Sequence, residues 1–177
     1  MLKLNWLFLL IISAVFLTSC GDEEEESEDN LGVVGTWNLV SLKYNSVTTI
    51  TYDAGPVLNN ATVAEAVDTD LRLTFNANNT YTTEGDYSIK IAPDIEDGED
   101  LAVIIDYQNF FGTGTWKKEG NELIFNESEL SGRQVGSNTI IELTANRMVI
   151  DIEFTQRQQQ QGGTAVAKVS GRYILEK

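Results

Sequence analysis

The side chains that enzymes most often use for proton transfer and nucleophilic attack are nearly absent from this sequence. Its 177 residues include no histidine and one cysteine, Cys20. Ser-His-Asp catalysis, Cys-His catalysis and the usual zinc sites all need residues that the chain lacks. Two carboxylates could still hydrolyse a sugar, but nothing in the sequence marks out such a pair. We therefore expect a protein that is not an enzyme and that carries no cofactor.

The densest run of acids in the second half of the chain is PDIEDGED, residues 93–100. Oxygen-rich loops of this kind can hold Ca²⁺. The spacing does not fit an EF-hand loop, in which the glycine follows acids at alternate positions. We interpret 93–100 as a solvated hairpin tip, which predicts no metal site, and keep calcium binding as the alternative.

The residues before Cys20 indicate what its thiol is for. The chain opens MLKLNWLFLLIISAVFLTSC, with a positive charge at Lys3 and an apolar run from Leu4 to Leu17. This is the layout of a secretory signal peptide, and the run is shorter than the roughly 20 residues of a membrane-spanning helix. Leu17-Thr18-Ser19-Cys20 resembles the lipobox of bacterial lipoproteins. The resemblance implies that residues 1–19 are removed and that Cys20 then carries the lipid anchor in the bilayer.

Seven acids follow Cys20 within residues 21–30, and no apolar residue interrupts them. Such a run repels itself, so we expect residues 20–30 to form a disordered tether. Acids directly behind a lipidated cysteine also resemble the export signal of surface-exposed lipoproteins in some Gram-negative bacteria. This resemblance implies a place on the outer face of the outer membrane, with the periplasmic face as the alternative.

Residues 31–177 have the length of one domain with a single core. They carry 11 basic side chains against 20 acidic ones, and so a formal charge of −9. No basic cluster is present, which argues against a nucleic-acid partner and against docking of the domain on anionic lipid.

Period-two alternation of apolar and polar residues dominates this domain and predicts half-buried antiparallel strands. Short turns such as NANNT at 76–80 and KEGNE at 118–122 link consecutive runs. Many short strands joined by hairpins indicate a sandwich or a barrel, and we prefer an up-and-down barrel because it has no exposed edges. The predicted strands are 36–44, 47–52, 70–77, 80–91, 101–110, 113–118, 122–127, 138–144, 147–155 and 164–176.

Two stretches depart from the alternation. In the first strand the parity of the apolar positions switches between Leu39 and Val40, which suggests a bulge or a change of face. The segment 56–68, PVLNNATVAEAVD, shows no period of two. Thr62 to Val67 could form a short helix, and residues 53–69 could instead be a loop that serves as a lid over one end of the barrel.

Three hairpin-like sequences and one tryptophan motif connect this pattern to a family. Gly35-Thr36-Trp37 opens the first strand and resembles the Gly-x-Trp motif of lipocalins, more closely that of bacterial lipocalin-like lipoprotein domains. Those domains share runs like LTFNANNTYT (73–82), GTWKKEGNELIF (114–125) and IIELTANRMVID (140–151). The resemblance implies a barrel of about 8–10 strands in which Gly35 and Trp37 belong to the closed end.

In lipocalins a basic residue near the last strand covers this tryptophan. Arg172 is the positional candidate here, although strand alternation places it on the outer face of the barrel. The acidic second motif of the main lipocalin group is not recognisable, so the likeness is to lipocalin-like domains.

Two functions fit the sequence. A barrel of about eight strands can hold one small ligand, and the resemblance favours this reading. The expected ligand is largely apolar, since the inward strand faces carry few charges. Tyr81, Tyr87, Tyr107 and Trp116 are the predicted lining residues, because each is aromatic, expected to point inward, and equipped with a polar atom. The alternative is a non-catalytic surface module with a packed interior, which meets an unknown protein partner through its outer surface.

Overall fold

The computed structural model describes residues 32–108, 112–127 and 134–177. The predicted signal peptide, Cys20 and the acidic tether lie outside these residues. The described chain contains one 3₁₀ helix, Gly98–Leu101, and no helix in it is long and apolar enough to cross a membrane. Its strands are β1 (Gly35–Tyr52), β2 (Val57–Thr69), β3 (Arg72–Phe75), β4 (Thr80–Glu84), β5 (Asp86–Pro93), β6 (Val103–Gln108), β7 (Thr113–Glu119), β8 (Glu122–Glu127), β9 (Gln134–Leu143), β10 (Arg147–Gln160) and β11 (Gly163–Glu176).

Eight of these strands close into an antiparallel barrel. The ring runs β1-β3-β4-β7-β8-β9-β10-β11, and β11 pairs back onto β1 from Asn38↔Glu176 to Tyr52↔Gly163. Strands β2, β5 and β6 continue the sheet from the second half of β1. The expected all-β, up-and-down barrel is confirmed.

Two long runs of the sheet are each divided into two strands. The first run consists of β2 and β3, and the second consists of β4 and β5. Strand β2 pairs with β5 while β3 pairs with β4, so the two breaks lie beside each other. The second interruption is Gly85, with φ of 85°. A Cβ atom there would lie 1.9 Å from the carbonyl oxygen of Asp70, in the first interruption. Only glycine fits where the two kinks touch.

The parity switch in the first strand is a β-bulge. Strand β1 is one continuous strand, and its register with β11 shifts between Leu39 and Ser41. The extra residue, Val40, is 50% exposed, whereas Leu39 and Leu42 on either side are buried. The bulge therefore keeps Leu39 and Leu42 on the inner face despite their odd spacing.

The predicted helix or lid at 53–69 is wrong. Val57–Thr69 is strand β2, which lies between β1 and β5 and is paired with both. Only Ala64 in it is buried, so the sequence shows no apolar period for pattern analysis to detect. Backbone hydrogen bonds on both edges hold this segment in the sheet.

The closed end of the barrel is packed around Trp37, which is fully buried. Its indole N–H donates to the carbonyl oxygen of Val33 at 2.8 Å. Lys177, after the last strand, lies over the indole with Nζ 4.3 Å from the ring centroid. The basic residue over the tryptophan is therefore Lys177. Arg172 points outward and bonds Asp151, so the positional expectation for Arg172 is wrong.

Candidate functional site

The interior divides into a closed aromatic half and an open half. In the closed half the rings of Phe75 and Trp116 meet edge to face with centroids 5.3 Å apart, and those of Tyr81 and Phe125 do the same at 5.3 Å. The indole N–H of Trp116 donates to the carbonyl oxygen of Thr80 at 3.1 Å. Trp116 and Tyr81 are 1% and 2% exposed, so both belong to a filled core.

Four tyrosines lie together above this core. The rings of Tyr87 and Tyr107, opposite each other on β5 and β6, stack with centroids 5.3 Å apart and planes 14° apart. The hydroxyls of Tyr44 and Tyr173, on β1 and β11, are close enough to Tyr87 to act electrostatically on it. We refer to Tyr44, Tyr87, Tyr107 and Tyr173 as the tyrosine cluster.

The backbone of β11 fixes the position of Tyr44. Gly171 stands opposite Tyr44 in the ladder, and a Cβ atom on Gly171 would lie 2.5 Å from the Cβ of Tyr44. The absence of a side chain thus lets Tyr44 lie against the neighbouring strand. A Cβ atom there would also lie 2.5 Å from the carbonyl oxygen of Lys43, so a larger residue at 171 would require β1 to shift.

Tyr87 and Tyr44 of the cluster are held in the neutral form. Burial raises the pKa of Tyr87 far above its usual value, and the nearby hydroxyls of Tyr173, Tyr107 and Tyr44 raise it further. Burial, followed by the effect of Tyr107, also raises the pKa of Tyr44. Loss of a proton from Tyr87 or Tyr44 is therefore disfavoured, so these two hydroxyls stay protonated.

Solvent reaches the inner wall beyond the cluster. Four of the inward-facing residues there are half-buried, namely Ser46, Ile91, Phe154 and Val169. Farther out, residues 57–60 of β2 and 156–159 of β10 are exposed at every position. Strand ends that are wet on both faces form a rim around an open mouth, at the end of the barrel opposite Trp37.

Charges are kept off this inner wall. Inward parity on the described strands beyond the cluster brings Ser, Thr, Asn, Gln, Ala, Gly and apolar residues inside, and the Lys, Arg, Asp and Glu residues of those strands face out. Ile91 lies on β5 with Tyr87, Val169 lies on β11 with Tyr173, and Phe154 stands opposite Val169, so apolar surface continues from the cluster along the wall. The open half can therefore hold an uncharged molecule with an apolar body.

A second concavity lies on the outer face of the barrel. It has a volume of about 650 Å³ and crosses β5, β2, β1, β11 and β10. We call it the outer groove. Five charged residues stand in register along it, namely Lys90, Glu65, Lys43, Arg172 and Asp151.

Ion pairs within that row balance most of the charge in the outer groove. Lys43 lies 3.1 Å from Glu65, and Arg172 makes a two-pronged contact with Asp151 at 2.6 and 3.0 Å. The Arg172 guanidinium thereby lowers the pKa of the Asp151 carboxyl. The groove is a mixed-charge surface, different in character from the uncharged interior.

The acidic segment 93–100 contributes to this outer surface. It includes the first three residues of the 3₁₀ helix Gly98–Leu101, and the carboxylate of Glu99 pairs with Lys90. Within the described ranges, no group of three or more His, Cys, Asp or Glu residues is placed to hold a metal ion.

The structure separates the four residues predicted to line a ligand. It brings Tyr87 and Tyr107 together in the cluster and places Tyr81 and Trp116 in the filled core below. Pattern analysis did not select Tyr44 and Tyr173. Both are aromatic and at inward parity, but their proximity depends on the pairing of the first strand with the last, which local patterns do not report.

Comparison with known proteins identifies the family of the domain. Two solved structures are similar in part: Ail, the attachment invasion locus protein of Yersinia pestis, and the S-type phycobiliprotein lyase CPES from Guillardia theta. Ail has 8% identity and a TM-score of 0.31, and the match covers 80% of this chain and 99% of Ail. The lyase has 9% identity and a TM-score of 0.30, with 78% and 86% covered. Neither likeness bears on function.

No curated protein matches the sequence. The lipocalin-like domain family matches over residues 33–150, which include the Gly-Thr-Trp motif, both interrupted strands and the whole tyrosine cluster except Tyr173. The chain belongs to the lipocalin-like domain family.

Proposed function

We propose that this protein is a lipid-anchored binder of a small, largely apolar ligand, which it holds in the open half of its barrel. The observation that carries the proposal is the tyrosine cluster at the base of an uncharged, solvent-reached inner wall. Apolar side chains supply burial and phenolic hydroxyls supply orientation, the combination expected of a small-molecule site.

The position of the anchor supports access to this site. The proposed lipid on Cys20 precedes β1, and β1 starts at the closed end beside Trp37. The mouth is at the opposite end of the barrel. A tether joined at the closed end thus leaves the mouth free to face away from the bilayer.

We further propose that the protein binds without catalysing a reaction and is displayed on the cell surface, with the periplasmic face of the outer membrane as the alternative. The lack of histidine and of an unmodified thiol supports the first point. The acidic run behind Cys20 supports the second. At least two acyl chains on Cys20 would make the anchor stable, since one chain binds a bilayer only marginally.

Native mass spectrometry of the lipoprotein purified from its own cells tests the binding proposal. We expect a small molecule to be retained. Ser46→Trp should abolish retention, because position 46 faces inward and a large ring there would fill the open half. Val47→Trp is the matched control, since Val47 is 48% exposed on the outer face. Equal retention by the Ser46→Trp protein would refute a site inside the barrel.

A second candidate function is recognition of a protein partner through the outer groove. Its row of ordered ion pairs favours a partner with complementary charges. The same purification separates the two functions, because a co-purifying protein supports the groove. In that case Arg172→Glu should release the partner, and Ser46→Trp should not.

A further inference from the structure

We infer that the ligand carries an uncharged, oxygen-bearing polar group, which the tyrosine cluster binds in preference to a carboxylate or an ammonium group. This inference rests on the proposed function and deepens it. It concerns which polar head the ligand presents to the base of the open half.

The positions of the four tyrosines favour a neutral oxygen. The rings of Tyr87 and Tyr107 stack face to face, and Tyr44 stands directly opposite Gly171. Tyr173 lies on the same strand as Gly171, two residues along, and so on the same face. Four phenols from four strands thus lie near one another inside the barrel, and a phenol can both donate and accept a hydrogen bond. A hydroxyl, ether or carbonyl oxygen matches that capacity.

The inner wall offers a charged head group no counter-charge. On the described part of the inner wall beyond the cluster there is no Lys, Arg, Asp or Glu side chain. A charged head group in this position would lose water without gaining a counter-charge, which is costly. The acidic domain would also repel an anion at longer range. A neutral oxygen escapes both penalties.

The buried tyrosines of the cluster do not supply a charge of their own. Burial and the nearby tyrosines raise the pKa of Tyr87 and of Tyr44, so these two hydroxyls stay protonated. A cationic ligand therefore finds no phenolate at either residue, whereas a neutral oxygen is compatible with both O–H groups.

Four eight-carbon probes distinguish these head groups: 1-octanol, octanoate, octylammonium and 1-chlorooctane. Their affinities can be measured by displacement of the neutral dye N-phenyl-1-naphthylamine from the mature chain, residues 20–177, carrying Cys20→Ser. This chain contains every described residue, including the β1–β11 ladder that closes the barrel. We expect 1-octanol to bind more tightly than octanoate and octylammonium.

Octanol is also more apolar than the ions, so a tyrosine-specific control is needed. Tyr44→Phe and Tyr173→Phe keep the rings and remove the hydroxyls. Each substitution should weaken the affinity for 1-octanol by about tenfold, which is the effect of losing one hydrogen bond of about 1.4 kcal/mol. The affinity for 1-chlorooctane should be nearly unchanged. Tyr81→Phe, in the closed half, should change the affinity for neither ligand.

The outcomes separate two kinds of failure. Tighter binding of octanoate or octylammonium than of 1-octanol overturns the inference while leaving an interior site in place. An equal loss of affinity for 1-octanol and for 1-chlorooctane in the Tyr44→Phe and Tyr173→Phe proteins also overturns the inference. If neither the dye nor any of the probes binds, the proposed function itself is overturned, and the inference with it.

Discussion

The side chain of Lys177 lies over the ring of Trp37, with the ammonium nitrogen 4.3 Å from the ring centroid, and the same nitrogen donates to the carbonyl oxygen of Val34 at 3.2 Å. One residue at the end of the chain thereby joins the first and last strands at the closed end. Trp37 in turn bonds Val33, so the chain entering the barrel is tied to the chain leaving it.

Removal of Trp37 should be far more damaging than removal of Lys177. Trp37→Ala leaves a cavity in a filled core and is expected to lower the free energy of unfolding by about 3–5 kcal/mol. Lys177→Ala loses one cation–π contact at an exposed site, worth about 0.5–1 kcal/mol, and one exposed hydrogen bond to Val34. Urea denaturation measures both, and Lys168→Ala, exposed on the outer face, is the control. A Trp37→Ala protein that unfolds at the same urea concentration as the original would contradict this account of the closed end.

The proposed lipid anchor can be tested by removing the thiol of Cys20. Cys20→Ala should leave the protein soluble or unprocessed, because we propose the lipid as the only strong membrane affinity of the mature chain. Fractionation of cells into membrane and soluble parts gives the answer. A processed Cys20→Ala protein that still sediments with membranes would rule out lipid anchoring at this residue.

Surface display is a separate prediction. Replacement of residues 22–26 by Ser and Ala should keep the lipid and move the domain to the inner side of the outer membrane. Protease treatment of whole cells reports the change, since only exposed protein is cleaved. Equal cleavage of the substituted and original proteins would mean that the acids serve as a tether alone.

The tyrosine cluster should make the fold sensitive to alkaline pH. The folded pKa of Tyr87 and of Tyr44 is raised above the unfolded value of about 10. Between these values the folded protein holds more protons than the unfolded one, so the free energy of unfolding falls as pH rises above about 10. The slope can reach about 1.4 kcal/mol per pH unit for each group.

Tyr87→Phe should remove part of this slope, as measured by urea denaturation at pH 8 to 11. Tyr52→Phe, at an exposed position, is the matched control. An unchanged slope in the Tyr87→Phe protein would show that the cluster does not control alkaline stability.

Several features of the fold could be read from the sequence because they depend on local periodicity. The alternation from Arg72 to Phe75 and in β10 and β11 predicted strands. The switch after Leu39 predicted a bulge or a change of face, and the structure has the bulge. Strand β2 was not predicted because its apolar residues follow no period of two, and only Ala64 in it is buried. Strand β10 extends to Gln160, five residues beyond its apolar pattern, because it pairs with β11 through its backbone.

The site was predicted less completely than the fold, because local periodicity does not show which distant strands pair. Tyr87 and Tyr107 are each at inward parity and their strands follow one another, so their pairing could be expected. The part played by Tyr44 depends on the absence of a side chain at Gly171, on a strand 127 positions away in the chain. Nor could alternation show that Lys177, beyond the last strand, would cover Trp37.

The location of bound ligand tests the central claim most directly. Nuclear Overhauser effects between 1-octanol and methyl groups of the isotope-labelled protein can be measured in three regions. We predict contacts with Ile91 and Val169 on the inner wall, and none with Leu123 in the closed half or with Val47 on the outer face. Contacts confined to Val47 and Val63 on the outside would contradict the account.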